Sequence, residues 1–153
     1  MLRGISDEDA RWRPAPDHWS IVEIVNHMAD EDADDFLPRL EATLRDPGEA
    51  WAPIDPTRAA TDRRYNEREL AASIDRFDAV RASSLNWLGT LGEPDWGRTH
   101  RHPSIGALRA GDLLASWVVH DPLHLRQLAK RLYQLVGRDS GGFSSSYAGE
   151  WRA

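Results

Sequence analysis

Along three long stretches of this chain apolar residues return every three or four positions, and that period, rather than a two-residue alternation, is what restricts the fold. In the first stretch Ile21, Ile24, Val25, Met28, Phe36, Leu37, Leu40 and Leu44 share one stripe to about Arg45, with a kink expected at Pro38. The second opens at Asn66 and carries Leu70, Ile74, Phe77, Arg81, Leu85 and Leu88 to about Leu91. The third runs from about Arg109 to Leu135 through Leu113, Leu114, Trp117, Val118, Leu125, Leu128 and Leu132. Ser20 followed three residues later by Glu23 has the spacing of a capping box, and Asn66 with Glu69 repeats it. Ser6, with Asp7, Glu8 and Asp9 behind it, begins a shorter helix that Pro14 and Pro16 must end. Residues 46–66 hold Pro47, Gly48, Pro53 and Pro56 without periodicity and read as a long surface connection, and Gly92 to Gly106 reads as a second loop. No convincing strand alternation appears. The expectation is an all-α chain, an up-and-down four-helix bundle over residues 1–135, with a Gly/Ser-rich tail over 136–153.

At 153 residues with 41% apolar content the chain can bury one core unaided. It contains no cysteine, so a metal ion would have to be held by imidazole and carboxylate. The start lacks a signal-peptide pattern and no apolar run approaches a membrane span, which points to a cytoplasmic protein without a membrane partner. Net charge is −6, with acids concentrated in the first third; nucleic-acid binders draw affinity from basic surfaces, so a nucleic-acid partner is not expected. The seven tryptophans suit packing in a core or a dimer interface.

Chemistry is concentrated in the histidines. His120 and His124 are four apart on the third stretch, which stacks both rings on one helix face within reach of one ion; a chance pair has the same spacing. His27, beside Ile24 and Met28, faces inward, where it is either a ligand or a core histidine satisfied by a carboxylate. Glu31 stands one turn further on as that carboxylate, as the group holding the ring of a ligating histidine, or as a ligand itself; the holding role is favoured. Pro122, between the two C-terminal histidines, either aims both rings at one point or only improves packing. Asp121 either orients a ligand or is a structural acceptor. His18, His100 and His102 fall in loop-like sequence and read as surface residues, His102 being the one placed to rim a pocket.

The segments Trp19-Ser20-Ile21-Val22-Glu23-Ile24-Val25-Asn26-His27-Met28 and Trp117-Val118-Val119-His120-Asp121-Pro122-Leu123-His124-Leu125-Arg126-Gln127-Leu128 resemble the two ligand-bearing blocks of the DinB-like (DinB/YfiT) metal-binding superfamily. The pattern around Asp95-Trp96, His102 and Gly106 is also familiar, so the resemblance covers about Leu2 to Tyr133. It implies a DinB-type bundle in which His27, His120 and His124 face one divalent ion, nickel, zinc, manganese, iron or cobalt, with further positions open to water or a small-molecule ligand. It also implies a homodimer. One departure is that nearly all of the family's first helix, which precedes Leu2-Arg3-Gly4-Ile5, is missing. A dimer partner, a truncated start or the C-terminal tail with Trp151 would have to cover the gap.

Two classes of function follow from the resemblance. One is an enzyme whose ion activates a low-molecular-weight thiol such as bacillithiol, mycothiol or glutathione, or else water for hydrolysis. The other is a non-catalytic, stress-associated metal-binding module. Trp117, Arg126 and His102 are the expected pocket residues. Arg126 or Arg81 free beside the ion would suit a thiol's carboxylate, whereas aromatic side chains filling that space would favour the module.

Overall fold

The computed structural model describes residues 2–152. After a 3-10 turn at Leu2–Gly4, Ser6 caps α1 (Asp7–Arg11) by accepting the Asp9 amide. Ser20 then opens α2 (Ile21–Asp30) with the expected reciprocal pair: its hydroxyl accepts the Glu23 amide at 3.3 Å, and Glu23 Oε2 accepts the Ser20 amide at 2.9 Å. Arg13 Nε donates to the same carboxylate at 2.8 Å, so Glu23 is buried with its charge compensated.

The irregularity expected at Pro38 lies upstream of it. A π-helical segment, Glu31–Phe36, joins α2 to α3 (Leu37–Arg45), and Pro38 falls in the first turn of α3, where a missing N–H is tolerated. The connection that follows is not wholly irregular: Asp55 caps α4 (Pro56–Asp62), and a 3-10 turn occupies Tyr65–Glu67. The second capping box does not form. Glu69 stands at the start of α5 (Leu70–Gly89) without a side-chain bond. Asn66 instead accepts the Ser20 hydroxyl at 2.7 Å, and Asp7 of α1 takes the open Leu70 amide at 2.9 Å. Partners distant in sequence have displaced the local pairing.

The loop expected between Gly92 and Gly106 contains a hairpin: β1 (Thr99–His102) pairs antiparallel with β2 (Gly106–Arg109). Four-residue strands are too short to show alternation, and Gly106 at φ 89° makes the turn. Finally α6 (Ala110–Asp139) runs straight through the sequence position of Pro122 and ends beyond the expected Leu135. Trp151 tilts over Tyr133 of α6 with ring centroids 5.8 Å apart and joins neither core.

Cross-links fix the directions of the rods. Asn26 bonds Ser73 and Asp32 bonds Arg81, so α5 runs in the same sense as α2–α3, whereas Trp117 bonding Asp32 and Arg131 bonding the Trp19 carbonyl make α6 antiparallel to both. Each rod changes character in the same order. Ile21 to Met28, Leu70 with Ile74 and Phe77, and Leu128 with Leu132 and Leu135 form one apolar core together with Ala10 and Trp12. Phe36 to Leu44, Trp87 with Leu88, and Ala110 to Trp117 form a second. Between the two cores lies a layer of polar side chains: Asp30, Glu31, Asp32 and Asp35 from the first rod, Arg81 and Ser84 from α5, and His120, Asp121 and His124 from α6.

Candidate metal centre

His27 closes the first core and faces this polar layer, 6% exposed. His120 and His124, one turn apart on α6, meet it there. One nitrogen from each ring can be chosen so that all three lie within 4.8 Å of one another, and the ring centroids are 4.3 to 5.3 Å apart. This spread can hold a single metal ion.

The ring orientations fit that use. His124 Nδ1 faces Gln127 Oε1 at 2.8 Å; a carboxamide oxygen only accepts, so Nδ1 carries the proton and Nε2 presents its lone pair. That Nε2 lies 3.0 Å from His120 Nε2, so a proton on His120 bridges the two rings, and an ion held there would take its place. His27 Nδ1 lies 3.5 Å from Glu31 Oε1, without a hydrogen bond between them. Burial, reinforced by the neighbouring rings, pushes His27 down to about 3 and His120 down to about 4. Burial also lowers His124. All three are thereby kept in the neutral form that ligates. Glu31 is pushed up by burial and by Asp35 beside it.

The surrounding side chains are tied down. Asp32, 1% exposed, accepts Arg81 through both oxygens at 2.6 and 2.9 Å and Trp117 Nε1 at 2.6 Å. The outer edge of the same guanidinium grips Asp121, next to His120. Arg81 therefore joins the π segment, α5 and α6 at the level of the histidines. Asp30 is held by Arg63, Arg76 and the Tyr65 hydroxyl, and Asp35 by Arg39. Trp19 lies 4.7 Å from the His27 ring and Phe36 5.2 Å from His120.

His27 also borders a hollow of about 220 Å³ with Asp30, Glu31, Asp34, Asp35, Arg63 and Tyr65. Trp117 is not on it; buried, it lines a separate hollow between α5 and α6 with Arg81 and Asp121. Arg126 is exposed on α6. His102 lines a third hollow beside the hairpin, and His100, expected at the surface, is buried there, stacked on Trp51 at 4.0 Å with its Nδ1 donating to the Pro47 carbonyl at 3.0 Å. The 46–55 connection folds over the hairpin and covers it, which the sequence of either segment does not announce. Asp32 and Gln127 are the residues that sequence reasoning missed. Asp32 follows Met28 by four on the apolar stripe, and Gln127 follows His124 by three, so both had helical spacing as a signal.

The model of the DinB superfamily matches residues 1–128. A solved structure of YfiT from Bacillus subtilis, described as a probable metal-dependent hydrolase with an unusual four-helix bundle topology, superposes with a TM-score of 0.76 at 16% identity, covering 88% of this chain and 77% of that one. No curated protein matches the chain. Among the described residues no helix is long and apolar enough to cross a membrane.

Proposed function

The chain belongs to the DinB superfamily, and from that premise we propose that it is a metal-dependent enzyme of the hydrolase type whose ion is bound by His27, His120 and His124. The observation that carries this reading is the convergence of three neutral imidazoles, from two distant helices, in the one polar layer between two apolar cores. A divalent ion, when bound, supplies Lewis acidity and makes water a nucleophile near neutral pH. Nickel, zinc, manganese, iron and cobalt all suit imidazole. YfiT, which shares the fold, is described as a probable metal-dependent hydrolase. In this chain Gln127 fixes the tautomer of His124, Glu31 stands beside His27 Nδ1, and Arg81 with Asp121 steadies the α6 turn that carries His120.

The thiol alternative fits less well. A thiol carrying a carboxylate needs an uncommitted cation nearby, but Arg81 is taken by two carboxylates and the hollow beside His27 is lined with acids. The non-catalytic reading is favoured by Trp19 and Phe36, which close over two of the rings. A homodimer accords with the apolar face that α6 leaves open at Val118, Val119, Leu123 and Leu125, and sedimentation equilibrium would measure it. The primary test is elemental analysis of purified protein: one equivalent of metal in the wild type and none in His124→Ala, followed by a screen of esters and amides against thiol-plus-electrophile pairs. Equal metal content in the two proteins would remove the site, and turnover of only the thiol pairs would overturn the hydrolytic assignment.

A further inference from the structure

The hollow beside the hairpin has a chemistry of its own. Arg39, Arg101, Trp51, His100 and His102 line it together with Pro53 and Ile54, and no carboxylate does, in a chain with 25 acidic residues. Its volume of about 550 Å³ falls within the range of roughly 300 to 1,000 Å³ of small-molecule sites, and its lining has their mixture of apolar walls and a few polar groups. The wall Ala52-Pro53-Ile54 separates it from the acidic hollow at His27.

The hydrogen bonds of the hollow determine what each polar group can offer. His102 Nδ1 accepts the backbone amides of Ser104 and Ile105 at 3.2 Å each, which forces the ring proton onto Nε2 and makes that edge a donor. It also disqualifies the ring as a metal ligand through Nε2, since both nitrogens would then have to be acceptors. Arg39 pairs its Nε with Asp35 at 2.5 Å and spends one Nη hydrogen on the Ala52 carbonyl at 3.4 Å, while its Cζ lies 4.9 Å from the centre of the Trp51 ring and further Nη hydrogens remain unspent. The indole N–H of Trp51 is buried with no acceptor among the described residues, which is unfavourable for a donor withdrawn from water. His100, clamped between Trp51 and the Pro47 carbonyl, holds the ring of Trp51 in place.

We propose that this hollow binds a small organic carboxylate, independently of the histidine centre. Donors predominate, so the ligand must bring acceptors. Of its two guanidiniums, Arg39 is already partly neutralised by Asp35 and Arg101 stands exposed to solvent, which screens it, so with neutral N–H groups beside them they match a single negative charge better than the double charge of a phosphate. The apolar walls and the volume leave room for the carbon skeleton that a bare ion lacks.

The test is titration of the metal-free protein with benzoate, and separately with inorganic phosphate, followed by the indole N–H resonance of Trp51, which the variant Trp51→Phe assigns by its disappearance. Saturable movement of that resonance with benzoate, stronger than with phosphate, is expected. Removing the donor in His102→Leu should weaken binding by about tenfold, as loss of one hydrogen bond to a charged group does. His27→Ala, which disables the metal centre, should leave benzoate binding unchanged. No saturable shift, equal affinity in His102→Leu, or tighter binding of phosphate would each overturn the proposal, and none of these outcomes bears on metal binding.

Discussion

The layer of histidines and the hollow beneath the hairpin lie on opposite sides of the Ala52-Pro53-Ile54 wall and are built in contrasting ways. The histidine layer is assembled from rods, and every side chain in it sits at a position fixed by helical spacing. Most of its polar groups are held by partners within the protein, Asp32 by Arg81 and Trp117, Asp121 by Arg81, and His124 by Gln127. The hairpin hollow is assembled from the connection and β1, with Arg39 reaching in from α3, and hydrogens of Arg39 and of His102 Nε2 remain unspent there. Residues on long helices thus supply a rigid frame for a demanding ligand such as a metal, while the connecting segments supply the adaptable surface.

If the histidine layer is a rigid frame, the largest effect should come from removing the strut shared by its three rods. Arg81→Met leaves Asp32 and Asp121 without their cation, and with Asp32 buried the loss of stability in urea denaturation should be about 3 kcal/mol. A loss below about 1 kcal/mol would mean that the layer relaxes easily, and the contrast with the hollow would fail. A subtler change separates rigidity from stability. Gln127→Leu frees the His124 tautomer and should weaken metal affinity by about tenfold with little change in the unfolding midpoint. The smallest effect is expected across the wall. Trp51→Phe keeps a ring against His100, should cost only about 1 kcal/mol, and should leave metal stoichiometry at its wild-type value. Loss of metal in that variant would show that the two regions are one site.

The same contrast decides what could be read in advance. The three rods, the Ser20 capping box and the inward position of His27 follow from local spacing, and so does the pairing of His120 with His124. The DinB resemblance carried the step from separate histidines to one group. The π segment was not legible, because an acidic run such as Glu31-Asp32-Ala33-Asp34-Asp35 has little local reason to be buried until Arg63, Arg76 and Arg81 arrive from elsewhere to join Arg39 one turn on. The start of α5 was misread for a related reason: Asn66 and Glu69 have the right spacing, yet Ser20 and Asp7 make the bonds. His100 was misplaced because burial in a loop depends on what folds over it, here Trp51 and the carbonyl of Pro47.

The antiparallel return of α6 has one further consequence. His27 belongs to the first rod and His120 to the last, so no early portion of a growing chain can assemble the proposed metal-binding trio, and local helix formation alone brings it no nearer. On the proposed reading, ion capture waits for the final rod to dock against the first. Because a cation held by all three rings favours only that finished arrangement, it acts as a latch on completed folding, and partly docked intermediates gain nothing from it.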